Sequence, residues 1–296
     1  MALAAVRPDL VGKSRITVAA LIPMLPVVIL GAAVFYLYYP VLADLVIQWK
    51  GDENYSHGFL IPVVSAYLIW QRRESLRHCQ ARGSPWGYLV LLAGLMLLII
   101  SQAGTFGYPA RLSLLVVFTG LILFLAGPKV LRAVAFPLAY LLFMVPLPAP
   151  ALNQIAFPLQ LQAARLATAT LDVLNVPVLR EGNIIDLPSM RLEVAEACSG
   201  IRSLISLLAL AVIYAYFAHR KWGARVALAL SAIPIALVAN AARVALTGVL
   251  VETVDPRVAL GFYHTFSGVV IFGLAFGLLA LESLVLFRLS GREVQG

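Results

Sequence analysis

Residues 201–217 read IRSLISLLALAVIYAYF, an apolar run whose one charge, Arg202, stands near its head. Such a run leaves no continuous polar face for water, and it approaches the roughly 20 residues that carry a helix across a bilayer. Similar runs lie at about 16–39, 57–71, 86–102, 112–127 and 133–147 before it, and at about 226–251 and 265–287 after it. The bias is general. Of 296 residues, 61% are hydrophobic and 12% charged, and the mean hydropathy is +0.93. A soluble domain is about half apolar and about a quarter charged. Too few charged side chains exist here to cover a water-facing surface, so the apolar excess faces lipid. Soluble enzyme folds and zinc-finger modules are excluded. The expected fold is all-α, a polytopic membrane bundle of about eight transmembrane helices forming one integral membrane domain over residues 1–296.

The run at 16–39 closes on Phe35-Tyr36-Leu37-Tyr38-Tyr39, an interfacial aromatic belt rather than a small-residue cleavage site, and reads as an uncleaved span. The run at 133–147 ends at Pro146-Leu147-Pro148-Ala149-Pro150, where no helix continues cleanly. Residues 157–174 mix Gln160, Gln162, Arg165 and Asp172 into an apolar stretch, the pattern of a helix lying in the interface. Residues 176–197 alternate apolar residues with Arg, Glu, Asn, Asp and Pro and read as a short extended or hairpin segment outside the bilayer.

With the N-terminus inside, eight spans place fourteen Lys and Arg on cytoplasmic segments. The outer segments carry six: Lys50, Arg111, Arg165, Arg180, Arg191 and Arg257. That asymmetry is the one that orients membrane proteins, and it puts both termini in the cytoplasm. The net charge of +8 is therefore a matter of orientation. It is scattered over short loops and forms no footprint for nucleic acid. Cys79 falls in a cytoplasmic loop and Cys198 at the outer face, so the two cysteines do not pair.

Three uncommon residues from distant parts of the chain reach one depth at the outer interface. Cys198 stands in Glu196-Ala197-Cys198-Ser199-Gly200-Ile201-Arg202-Ser203, where the outer segment becomes the 201–218 span. Arg243 stands in Asn240-Ala241-Ala242-Arg243, and His264 opens His264-Thr265-Phe266-Ser267-Gly268. A cysteine at a helix N-terminus sits among unpaired N–H groups that stabilise thiolate, and Arg202 or Arg243 would add to this. The plain alternative is a small packed cysteine, although Ser199 and Gly200 beside it allow close backbone approach. Counting back from Glu252 sets Arg243 about 13 Å below the end of its helix. There it is costly unless it stabilises an oxyanion, clamps an anionic group or ties helices together, with Asn240 one turn away. His264 beside a thiolate is a general base or acid; alone it is an interfacial histidine. His57, in Tyr55-Ser56-His57-Gly58, competes for that role and ranks behind it as a packing or entry residue, since no spacing ties it to Cys198. Glu193 and Glu196 read as loop charges or recognition groups, and Glu181, Asp186, Glu193 and Arg191 are expected to shape the mouth of the site. Neither HExxH nor CxxC occurs, so neither a metal nor another cofactor is expected. No internal repeat supports a transporter.

At these residues the sequence resembles the exosortase branch of the exosortase/archaeosortase family. Glu196 to Ser203 is similar to the family's cysteine motif, Asn240 to Arg243 to its arginine motif, and His264 to Gly268 to its histidine motif. The stretch Asn54 to Phe59, with Trp70 and Arg72-Arg73, is similar to the family's early region. The resemblance implies a multi-pass enzyme of the bacterial cytoplasmic membrane, a cysteine protease or transpeptidase with its active site facing the periplasm or exterior. It further implies that Cys198, Arg243 and His264 are catalytic, and that the substrate is an exported, membrane-anchored protein. That substrate would carry a C-terminal PEP-CTERM-type sorting signal, in which a Pro-Glu-Pro-type motif precedes a transmembrane helix and a basic tail. The implied chemistry is acyl transfer through a thioester. Asn240, Glu196, Ser199, Gly200, Arg202 and His57 are supporting candidates. The competing readings are a non-catalytic scaffold and a transporter component of polymer or protein export.

Overall fold

The computed structural model describes residues 25–104, 106–194, 200–255 and 262–289. The chain divides into two units, residues 1–44 and 45–296; the described part of the first, 25–44, is helical. Helix α1 spans Leu25–Gly51. It does not stop at the aromatic belt, because Val41, Leu42, Leu45, Val46 and Ile47 resume the apolar run beyond Pro40. A proline removes one N–H, and in an apolar medium the helix remains the way to satisfy the other backbone groups.

Among the described residues, seven helical stretches are long and apolar enough to cross a membrane. They are Val28–Gly51 within α1, α4 (Trp86–Ala103) and α5 (Gly107–Leu125). Next come α6 (Gly127–Tyr140) with the 3-10 turn Leu141–Met144, and most of α8 (Gly200–Ala218). The last two are α9 (Trp222–Thr253) and, within α10 (Phe262–Leu289), Phe266–Arg288. The segment expected at 57–71 is composite: a 3-10 helix, Glu53–Phe59, leads into the twelve-residue α2, Leu60–Gln71. At about 2.0 and 1.5 Å per residue these two pieces add to about 32 Å, a full bilayer core. Their contacts run the length of the bundle. Near one end Tyr55 Oη accepts from Leu147 N at 3.1 Å, and Trp49 Nε1, in the last turns of α1, donates to Met144 O at 2.9 Å. Midway Ser65 Oγ donates to Pro137 O at 3.0 Å. At the other end, where the short α3 (Arg73–His78) follows, Arg72 donates to Ala133 O and Tyr216 Oη. The rod is therefore antiparallel to α6 and parallel to α8. Helices α4 and α5 pack backbone to backbone: a Cβ at Gly94 would lie 2.7 Å from Val117 Cγ2, and one at Gly120 2.6 Å from Leu91 N.

Helix α7, Ala149–Val173, starts directly after Pro148. The amphipathic pattern read over 157–174 is present, but its apolar face is occupied by protein. Ala163, Ala164, Ala167 and Leu171 are fully buried against Ala241, Val244, Ala245 and Val251 of α9. Ala156 packs with Ile201 of α8 and Ala232 and Ala236 of α9. Both helices climb in the same direction. The segment expected over 176–197 holds a three-stranded antiparallel sheet, β1 (Leu179–Glu181), β2 (Ile184–Asp186) and β3 (Arg191–Glu193). Gly182, at φ +66°, takes the left-handed position in its first turn. Ile185 faces Leu192 across β2 and β3, and both are buried with Leu187 and Val194 on the α7–α9 core.

Helix α9 is longer than its partners. Asn240 stands level with Ile201 and Leu204, which line the same cleft at the start of α8. Residues 241–253 continue about 20 Å further, flanked by α7 and the sheet. Glu252, at the tip, accepts from Ser189 N at 3.0 Å and from Ser189 Oγ. Helix α10 returns antiparallel to α9, and near its end Ser283 Oγ meets His219 Nε2 at 2.9 Å.

Candidate active site

The start of α8, the middle of α9 and the first turns of α10 meet at one end of the bundle. Asn240 is 6% exposed and borders Ile201 and Leu204 of α8. Three residues on, about 60° around the helix, Arg243 lies against α10. A Cβ built on Gly268 would stand 3.2 Å from its Nη2 and 3.3 Å from its Cζ. The guanidinium thus rests close on the backbone at Gly268, where a larger residue would make it shift. Gly268 follows His264 by four residues in α10, which puts their backbone positions on one helix face. Thr247 Oγ1 donates to Arg243 O at 2.9 Å. Residues 195–199, with Glu196, Cys198 and Ser199, lie outside the described residues, as does the side chain of His264. Gly200, the residue after that stretch, opens α8.

The 3-10 helix Glu53–Phe59 lies against the same end of α8. Glu53 pairs with Arg202, and His57 Nδ1 is 3.4 Å from Ser206 Oγ. Arg202 and Ser206 are one turn apart on α8, so the 3-10 helix follows a single polar line on an otherwise apolar helix. Trp49 packs on Gly58, where any Cβ would strike its indole ring. His57 Nε2 is buried, and the imidazole lies beside the backbone of Phe143. His57 is therefore joined to the head of α8, a tie across 149 positions that spacing does not reveal. Glu53 and Ser206 were missed by sequence reasoning. The available signal was the four-residue interval shared by Glu53–His57 and Arg202–Ser206.

Of the residues expected to shape the mouth, Asp186 and Arg191 are committed to each other. Arg191 Nε donates to Asp186 Oδ1 at 2.6 Å across neighbouring strands. That hydrogen bond holds the Asp186 carboxyl below its ordinary value. Among the described residues no group of three His, Cys, Asp or Glu side chains could hold a metal ion.

These features define a multi-pass helical membrane protein with a polar, arginine-bearing site built from three helix segments at one end of the bundle. The family model described as Transmembrane exosortase (Exosortase_EpsH) matches residues 49–281, and the chain belongs to the transmembrane exosortase family, a family of membrane peptidases. The match takes in the 3-10 helix, the head of α8, Asn240, Arg243 and His264. No curated protein and no solved structure gives a match. Membership implies a membrane sorting protease.

Proposed function

We propose that this chain is a cysteine protease or transpeptidase that cleaves C-terminal PEP-CTERM-type sorting signals of exported proteins at the outer face of the bacterial cytoplasmic membrane. The observation that carries the reading is the Arg243 guanidinium lying against Gly268, one turn from His264, beside the head of the helix that follows Cys198. The Cys198 thiolate attacks the scissile carbonyl carbon and forms a C–S bond, while the carbonyl π pair moves to oxygen. Arg243 stabilises that oxyanion. Collapse breaks the C–N bond, and His264 protonates the departing amine. A thioester on Cys198 remains. An amine or water then attacks it, the C–S bond breaks, and His264 takes the proton that the nucleophile loses.

The outer face is assigned by the basic-residue count. A substrate helix crossing the bilayer there presents its scissile region at the depth of Asn240 and Arg243. Glu53, Arg202, Ser206 and His57 fix the head of α8.

The test is processing of a tagged substrate in a membrane that contains wild-type chain, Cys198→Ala or Cys198→Ser. Both variants are expected to insert and accumulate while cleavage falls to background. A normally processed substrate with Cys198→Ala contradicts the proposal and favours a scaffold role.

A further inference from the structure

A groove of about 470 Å³ runs between α7 and α9, within the roughly 300–1,000 Å³ of ordinary ligand sites. Its walls are two ridges at four-residue spacing. Leu166 and Thr170 of α7, with Leu174 at its end, form one; Val238, Ala242 and Leu246 of α9 form the other. All six are exposed. Ala241 and Ala245, buried against α7, make the floor. At about 1.5 Å per residue each ridge is about 12 Å long, close to two helical turns. Depth sets this groove apart from a lipid-facing surface. The span Ile201–Ala218 of α8 is about 27 Å long, nearly the thickness of a bilayer core, so Ile201 marks an edge of the apolar layer. Asn240 is level with Ile201, which puts Val238 just inside that edge and Ala242 and Leu246 beyond it. Arg165 and Asp172 stand exposed on the same stretch of α7, as a polar layer requires. Acyl chains end below this level, and an apolar hollow rimmed by polar groups marks a place where a partner binds.

We infer that this groove seats the end of the substrate's membrane helix, the two apolar turns that emerge from the bilayer next to the bond to be cut. The inference rests on the peptidase reading above. Two parallel ridges at helical spacing accept the ridge of a third helix between them, and alanines at the floor let its backbone come close. Among the described lining side chains the one hydroxyl, Thr170 Oγ1, donates to Leu166 O at 2.8 Å. The walls therefore recognise an apolar surface and not a polar sequence. At Val238 the groove is open to lipid, so a helix anchored in the bilayer enters it sideways without crossing water. Its other end is continuous with the candidate site. Arg243 follows Ala242 about 100° around α9, and the chain that leaves the seated helix meets the turn bearing that guanidinium.

The experiment places photoreactive benzoylphenylalanine in place of Thr170 or Leu246 in the full-length Cys198→Ala chain, with Ile100, exposed on α4, as the control position. The chain is illuminated in proteoliposomes that hold a membrane-anchored substrate. Positions 170 and 246 are expected to cross-link to the substrate's membrane helix, and position 100 is not. Adducts with lipid or with a second copy of the chain but none with substrate, or an equal substrate yield from position 100, overturn the inference. Kinetics supply a second reading. Thr170→Trp fills the groove from its exposed wall, and its melting temperature checks the fold. It is expected to raise KM for the anchored substrate about tenfold with kcat little changed, the scale of one lost apolar contact. On a helix-free peptide with the same scissile bond it is expected to match wild type. An unchanged KM for the anchored substrate, or the same rise on both substrates, overturns the groove. If Cys198→Ala is inactive but gives no substrate cross-link, the groove alone fails; if Cys198→Ala still processes substrate, the peptidase reading fails.

Discussion

A methyl group at Gly268 would press on Arg243 from 3.2 Å, closer than ordinary van der Waals contact, and the guanidinium would have to yield by a few tenths of an ångström. Hydrogen bonds to a developing oxyanion depend steeply on such displacements. Gly268→Ala is predicted to lower kcat for substrate cleavage about tenfold, with the chain accumulating normally. Arg243→Ala should cost about 10²–10³ in kcat, the scale of a lost oxyanion donor. Cleavage time courses in proteoliposomes read both, and an unchanged kcat for Gly268→Ala argues against this contact as a catalytic constraint. At this scale the sequence was informative about identity and poor about environment. Cys198, Arg243 and His264 stand out in the sequence as uncommon groups that reach one depth. The length count from Glu252 gave Arg243 a depth below its helix end, but not that α7 and the sheet flank the turns that follow it. His57 shows the same limit. Its contact with Ser206 depends on how the 3-10 helix folds back on α8, and no local pattern encodes that.

Among the elements, the outer part of α9 carries the most weight. It is stabilised by an alanine face on α7 that allows close approach, by Leu171, which is fully buried, and by Ile185, Leu192 and Val194 of the sheet segment. Leu171 also touches Gly248, where a Cβ would stand 3.1 Å from its Cδ1. Leu171→Ala is expected to cost about 2–5 kcal/mol through lost contacts and the void left behind. Thermal unfolding of the purified chain checks this effect; a melting temperature equal to wild type would show that α7 and α9 do not depend on this contact. The helical pattern over 157–174 was readable from the sequence, but what covers its apolar face was not, since an amphipathic helix looks alike against lipid and against another helix. The second span was obscured for a different reason. Asp52 accepts from Asn54 N at 2.9 Å and starts a 3-10 helix, so the α-helical part shrinks to twelve residues while the rod still extends from Glu53 to Arg72.

For the molecule as a whole, the apolar runs made the membrane bundle legible, because in lipid only helices and closed barrels satisfy the backbone. Their arrangement was not legible, since apolar helices carry little lateral information. The polar exceptions supply it. Glu53–Arg202 and His57–Ser206 fix one end of α8. At the other end Phe136 stacks on Tyr216 at 3.8 Å, Arg225 lies 4.9 Å from that ring, and Arg72 bonds its hydroxyl. Held at both ends, α8 keeps Ile201 and Leu204 beside Asn240. The central claim is that Cys198 carries the acyl group during turnover, and intact-mass and peptide mapping of the chain quenched in acid during substrate cleavage tests it most directly. The chain has only two cysteines, so Cys79 is an internal control. The account predicts a mass increase equal to the acyl half of the substrate on the peptide containing Cys198, none on Cys79, and loss of the adduct in Arg243→Ala. A chain that turns over substrate with no adduct on Cys198, or with the adduct on Cys79, would contradict it.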